Sequence, residues 1–260
     1  MPDESVNFDR AAPFYDATRG FPEGVEEEIA QFIATTSTLD PSLSELLEIG
    51  VGTGRMAIPL LPYAKSITGV DISPNMLHVL ISKKRDLALR PICASGLKLP
   101  FIKQSFDRVL LVHILHLIPD PLQVLREIER VLKPGGKILH GFNKQNKSHQ
   151  NHLMAAWEKH RPERKIGTGW PDTNEVLKQS KWELERNSDF FYDRVQTVGQ
   201  FLDVIQNRCW SSTWGLSDDE IAPGIEAMKT AAELHYHGNY DHLIHEEAIF
   251  RLQIYVQTSH

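Results

Sequence analysis

The stretch LLEIGVGTGRMAIPL, residues 46–60, constrains this chain more than any other. An apolar run interrupted by Glu48 ends at Gly50, Gly52 and Gly54, and a helical pattern begins at once. Glycines at alternate positions let a backbone turn sharply and come close to a neighbour. Whether that neighbour is a phosphate, a nucleotide or another strand is decided by the rest of the chain.

Strand and helix patterns alternate on either side of this loop. Apolar residues at helical spacing over Glu23–Ile33 precede the first strand, Leu43–Ile49. After the loop, a short helix carrying Met56, Ile58 and Leu60 runs to Pro62. SITGVDIS is a second strand ending at Asp71. Ser73 and Pro74 suit the cap and first position of a helix whose apolar face is Met76, Leu77, Leu80 and Ile81. RPICAS and FDRVLLVHI read as strands three and four, Asp120-Pro121 opens a helix, KPGG reads as a turn, and KILHGF as strand five. Strands apolar on both faces, alternating with helices, predict a parallel sheet covered on both sides. Beyond Phe142 the rhythm changes: helices are expected in the second part of NKQNKSHQNHLMAAWEKHRPER, in TNEVLKQS, over about Val198–Trp214 and over Asp218–Leu234, with DFFYDRVQ strand-like. AIFRLQIYVQ alternates as a strand with one buried face. The expected fold is α/β: a Rossmann-like doubly wound sheet, mostly parallel with an antiparallel C-terminal strand, plus an inserted helical lid. Residues 1–40 would form an N-terminal helical cap, 41–143 the α/β core that binds a cofactor, and 144–260 the helical insertions with the last strands.

Charge and cysteine content narrow the partners. The 260 residues carry a formal charge of -6, with 24% charged residues and no dense Lys/Arg block, which disfavours nucleic acid. Two cysteines, Cys93 and Cys209, lie far apart and without metal-type spacing. No apolar run approaches the roughly 18 residues of a membrane span. A soluble, cytoplasmic protein with a small-molecule substrate is expected; composition leaves the oligomeric state open.

In an open parallel sheet, ligands collect at the carboxyl ends of the strands, where the glycine loop sits. The dinucleotide fingerprint Gly-x-Gly-x-x-Gly is not met, because the third glycine comes one residue early and Arg55 stands in its place. Asp71, about 20 residues beyond Gly50 at the end of strand two, can accept hydrogen bonds from two vicinal ribose hydroxyls. The pocket therefore suits a nucleoside with free hydroxyls and does not require a pyrophosphate.

ELLEIGVGTGRMAIPL, ITGVDISPNML, LKLPFIKQSFDRVLLVHILHLIPD and VLKPGGKIL together resemble the successive motifs of class I S-adenosylmethionine-dependent methyltransferases. They are most similar to the subgroup of menaquinone- and ubiquinone-biosynthesis methyltransferases, the type 11 domain. The resemblance runs from about Tyr15 to Phe142. It implies S-adenosylmethionine as cofactor and S-adenosylhomocysteine as product. It further implies that Glu48 anchors the loop or reaches the cofactor's amino group through water, and that Gly50, Gly52 and Gly54 pass beneath the methionine moiety. Asp71 would bind the ribose, and Ile72 and Met76 would pack on adenine. Where the family commonly has Asp-Ala after the third strand, this chain has Ser95-Gly96; a serine hydroxyl accepts a hydrogen bond without charge assistance. Tyr15 and Arg19, in PFYDATR, match the segment that folds over the cofactor, Arg19 toward its carboxylate. His113 falls near the transferable methyl.

Methyl transfer is an in-line displacement favoured by a dry cavity. A nucleophile that must lose a proton needs a base, and histidine titrates in the useful range. His113 and His116 are the catalytic candidates, and His140 a candidate substrate contact; local hydrogen bonding or packing is the alternative for each. Trp210 and Trp214, four apart on an expected helical face, can stack on a planar acceptor or belong to the core. The five tryptophans and the apolar HILHLIP suggest an apolar or aromatic acceptor. His235, His237, Asp241, His242 and His245 match no metal-ligand spacing, and no metal is expected there. The rival readings are a cofactor-binding protein without catalysis and a nicotinamide-dependent oxidoreductase, the latter opposed by the glycine spacing. A nucleic-acid methyltransferase is opposed by VHILHLIPD where its catalytic motif would stand.

Overall fold

The computed structural model describes residues 5–83, 88–144, 151–162, 173–178 and 180–258. Residues 145–150, in the polar start of the segment after Phe142, and Trp170 lie outside them. The chain runs α1 (Tyr15–Arg19), α2 (Val25–Ser37), β1 (Glu45–Ile49), α3 (Ala57–Leu60), β2 (Ser66–Asp71), α4 (Pro74–Lys83), β3 (Leu89–Cys93) and β4 (Phe106–Val112). It continues through α5 (Pro121–Val131), β5 (Leu132–Lys144), α6 (His152–His160), α7 (Thr173–Lys178), β6 (Trp182–Thr197), α8 (Val198–Gln206), α9 (Asp218–Tyr236) and β7 (Leu243–Gln257). The seven strands form one sheet in the order β3-β2-β1-β4-β5-β7-β6. β7 runs antiparallel to both its neighbours, and the remaining pairs are parallel, so the strand winding reverses beside β1 as a doubly wound sheet requires.

Strand pleating divides the core. From β1, Leu46 packs with Ile29 and Ile33 of α2, Leu60 of α3 and Leu80 of α4 on one face. Leu47 and Ile49 pack with Val124, Leu125 and Ile128 of α5 on the other. Glu48 shares the face of Leu46, so its position in the pleat forces a carboxyl group into an apolar layer. A third cluster joins α6, α8 and α9: Leu153, Trp157, Phe201, Ile205, Ile221 and Met228. Gly224 of α9 admits Trp157 so closely that a Cβ there would lie 2.5 Å from its ring. The expected caps form: Ser73 Oγ accepts from Met76 N–H at 3.1 Å, and Asp120 Oδ1 from Gln123 N–H at 3.0 Å.

Several local expectations are corrected. KPGG lies within the span of β5, where the pairing with β4 slips between Phe106 and Arg108 and Gly135 takes φ 76°. Ile81 is solvent-exposed, because the sheet reaches only the Met76–Leu77–Leu80 side of α4. β7 buries Ile249 and Tyr255 as well as Phe250, Leu252 and Ile254, since an interior strand between β5 and β6 is covered on both faces. α8 ends at Gln206, well short of Trp214. No helix among the described residues is long and apolar enough to cross a membrane.

Candidate active site

A cavity of about 620 Å³, including its mouth, opens at the carboxyl ends of β1, β2 and β4. Gly50, Gly52, Asp71, Ile72, Met76 and Gly96 form its floor and sides. The loop is shaped by its own hydrogen bonds. Gly50 and Val51 N–H both donate to the Val70 carbonyl, at 2.8 and 3.0 Å, drawing the backbone down onto β2. Gly50, Gly52 and Gly54 all adopt positive φ, and a Cβ on Gly50 would meet Ile114 Cδ1 at 2.6 Å. Asp71 accepts from Gly52 N–H at 2.8 Å and from Ser73 N–H at 2.9 Å, one bond to each carboxylate oxygen. Burial raises its pKa against the lowering effect of these bonds. Each oxygen keeps a lone pair for a further donor, which is what a vicinal diol requires. With Ile72 and Met76 beside it offering apolar surface, the residues present fit the nucleoside end of S-adenosylmethionine.

The N-terminal segment roofs this cavity. Ser5, Val6, Phe8 and Tyr15 line it, and Val6 N–H donates to the Leu117 carbonyl at 3.0 Å. Asp9 Oδ1 accepts from the Ser73 hydroxyl at 2.5 Å and Asn75 N–H at 3.0 Å. Further along, Thr53 Oγ1 donates to Asp16 Oδ1 at 2.6 Å, and Lys83 pairs with the same carboxylate. Sequence reasoning missed Asp9, Asp16 and Arg55, because their partners lie far away in the chain.

A second, larger cavity adjoins the first, about 1370 Å³ with its open mouth. Phe8, Tyr15, His113 and Leu117 line both. Beyond this shared wall lie Arg19, Arg55, His116, Tyr192, Arg194 and Trp210. Arg55 sits over the rings of Phe21 and Tyr15, at 4.7 and 5.8 Å from their centroids, and donates to the Arg19 carbonyl. His113, at φ 55°, receives the Asn143 N–H on Nε2 at 3.3 Å. A backbone N–H can only donate, so the ring proton of neutral His113 belongs on Nδ1. Burial first, then the charges of Arg55 and other neighbours, hold His113 well below the usual histidine range.

The sequence candidates separate accordingly. Tyr15, Gly50, Gly52, Asp71, Ile72, Met76, Gly96 and His113 line the first cavity. Arg19 lines only the second. Gly54 lines neither; it clears the way for Leu80 and Ile58. Ser95 also lies off the cavity wall: its hydroxyl accepts from Leu97 N–H at 3.0 Å, closing a local turn, and Ala94 and Gly96 face the cavity instead. Glu48 is sealed beneath the loop, with Oε2 lacking a partner among the described residues, and burial pushes its pKa up to about 8.

His140 is corrected from a substrate contact to a core residue. It lies inside the sheet opposite Gln253 of β7, is buried, and is held at a pKa of about 4 chiefly by desolvation. The two tryptophans do not share a helical face, because a 3-10 turn over Ser211–Thr213 separates them. Trp210 lines the second cavity, whereas Trp214 packs on Phe8 at 4.8 Å and donates Nε1–H to the Arg208 carbonyl at 2.9 Å. Among the described residues no group of three His, Cys, Asp or Glu side chains can hold a metal ion.

Residues 47–140 match the family model described as a methyltransferase domain. The chain is 32% identical to the sterol 4-C-methyltransferase strm-1 of Caenorhabditis elegans over 118 residues, 41% of this chain and 35% of that protein. It is 36% identical to a demethylmenaquinone methyltransferase of Oceanobacillus iheyensis over 99 residues, 36% of this chain and 42% of that one. The chain thus spans less than half the length of these two relatives. Among solved structures, the 4+2 cyclase SpnF superposes with a TM-score of 0.60 at 18% identity, covering 97% of this chain and 95% of that one, a likeness of fold. The family match, the parallel strands β3-β2-β1-β4-β5 and the glycine loop facing Asp71 together identify residues 47–140 as a methyltransferase domain.

Proposed function

We propose that the chain transfers a methyl group from S-adenosylmethionine to a small molecule held in the second cavity. The observation that carries this reading is the wall of Phe8, Tyr15, His113 and Leu117 shared by the two cavities. A displacement at carbon needs nucleophile, methyl and leaving sulfur in line, with reacting atoms about 3–3.5 Å apart, so donor and acceptor must meet across one thin boundary. S-adenosylmethionine supplies an electrophilic methyl group on a sulfonium. Asp71 holds its ribose, Ile72 and Met76 flank its base, and Tyr15 with Phe8 excludes water from the reacting end.

His113 is best suited to orient the acceptor through Nδ1–H, because its Nε2 lone pair is engaged by Asn143. Where the nucleophile must lose a proton, His116, on the acceptor side alone, is the candidate base. Of the expected N-terminal cap, residues 5–15 act as the roof over the cofactor while α2 packs on the sheet, and of the expected lid α6 and the turn at Trp210–Ser212 border the acceptor cavity. The relatives' names specify a sterol and demethylmenaquinone, which supports a small-molecule acceptor. The test is methyl transfer from labelled S-adenosylmethionine into a metabolite extract. A labelled product that depends on Asp71 supports the reading. Saturable cofactor binding without any labelled product would favour binding without transfer.

A further inference from the structure

We infer that the acceptor is an anion, bearing a carboxylate or phosphate group that the arginines of the second cavity receive. This rests on the methyl-transfer reading and names its substrate class. Four arginines line that cavity in a chain whose overall charge is -6. Among the described residues only one of them is neutralised: Arg161 pairs with Glu158, itself in the lining, at 3.3 Å. Arg19, Arg55 and Arg194 have no carboxylate partner among the described residues, although they come from α1, the end of the glycine loop and β6. Arg19 donates only to the Cys209 carbonyl, at 3.4 Å, and its Nε is enclosed without a partner. Arg55 rests on aromatic rings and gives one bond to a carbonyl. The carboxyl group that feels its charge, Glu48, is protonated at neutral pH by its burial. Arg19 in turn feels the repulsion of both Arg55 and Arg194, so the three charges act on one another.

Partly enclosed like charges without counter-ions are costly unless a ligand supplies the opposite charge. The cofactor cannot do so alone. Its single carboxylate offsets one unit of charge, while its sulfonium and ammonium groups add two positive charges, so the cofactor brings no net negative charge to the three guanidinium groups. The remaining demand falls on the acceptor. The rings of Phe21, Tyr192 and Trp210 in the same lining offer faces to a planar body, so the aromatic acceptor expected from the tryptophans is retained and acquires an anionic group. Guanidinium groups match carboxylate and phosphate oxygens in paired hydrogen bonds.

The test is calorimetry on the full chain, first with S-adenosylhomocysteine alone. The saturated protein is then titrated with benzoate, phenyl phosphate and benzyl alcohol. Either anion is expected to bind about tenfold or more tightly than the alcohol, with the preference shrinking as salt rises. Comparison of benzoate with phenyl phosphate tells which anion the site takes. Arg194→Gln should cut the preference by about threefold or more, Arg194→Lys should retain more of it than Gln does, and both should keep the affinity for S-adenosylhomocysteine within about twofold, which also reports that they are folded. Equal or tighter binding of benzyl alcohol, absence of anion binding, or a preference unchanged by Arg194→Gln would overturn the inference. If S-adenosylhomocysteine gave no heat while Arg194-dependent anion binding persisted, the methyl-transfer reading would fall and the anion site would stand.

Discussion

The Asp71 carboxylate accepts the Gly52 and Ser73 N–H groups, which hold the loop, and keeps lone pairs for the ribose contact proposed above. Asp71→Ala is expected to weaken S-adenosylmethionine binding by about 1.5–3 kcal/mol, as charge-assisted bonds are lost, measured by calorimetry. Unchanged affinity would place the ribose elsewhere. Gly50 tests the loop itself. Alanine there must adopt φ 75° and drive its Cβ to 2.6 Å from Ile114 Cδ1. Gly50→Ala should cost about 1–3 kcal/mol of stability in denaturant unfolding and weaken the cofactor's binding further. The glycines and Asp71 were legible in the sequence because they are local and ordered along the chain. Ser95 stands off the cavity wall for a physical reason: its hydroxyl accepts Leu97 N–H in a local turn, and spacing alone does not reveal a side chain's hydrogen-bond partner.

At the scale of elements, the N-terminal segment is a strap attached at both ends of the cofactor cavity. Val6 joins the loop after β4, and Asp9 joins the start of α4. Hydrogen bonding from Ser73 lowers the Asp9 pKa. A carboxylate whose folded pKa lies below its unfolded value contributes fully at neutral pH, and the contribution is lost as pH falls through the folded value. Asp9→Ala should therefore loosen the strap at pH 7, with faster hydrogen exchange over residues 5–12 and weaker cofactor binding. The wild type should approach the variant only below the ordinary carboxylate range. An exchange pattern that the substitution leaves unchanged would show that Asp9 does not hold the strap. Trp210 and Trp214 carry the complementary lesson: four-residue spacing pairs side chains only while the helix continues, and α8 stops at Gln206.

Across the whole molecule, two buried titratable groups set opposing pH slopes. Glu48, pushed up to about 8, keeps a proton that the unfolded chain releases above its ordinary value of 4.5, so stability falls as pH rises through that window. His140, held at about 4, stays neutral where the unfolded chain takes up a proton, so stability is lost as pH falls from 6.5 toward 4. Glu48→Gln removes the first slope. Its Tm relative to wild type should rise by about 4 °C or more between pH 5 and pH 8.5, read by thermal melts at the two pH values. A constant difference would mean that Glu48 ionises normally in the folded chain.

Taken by itself, the sequence determined the sheet, its winding and the cofactor loop, because strand and helix periodicities and glycine spacing are properties of neighbouring residues. It also marked the final segment as a strand, through its alternation, while the cover on both faces of that strand came from its place between β5 and β6. Only the tertiary structure decided which side chains meet from distant segments. Arg19, Arg55 and Arg194 converge on one cavity from an N-terminal helix, a loop and a late strand. His140, polar in sequence, is buried because β5 runs between β4 and β7. Such contacts depend on how the layers close over one another, and no local pattern encodes that.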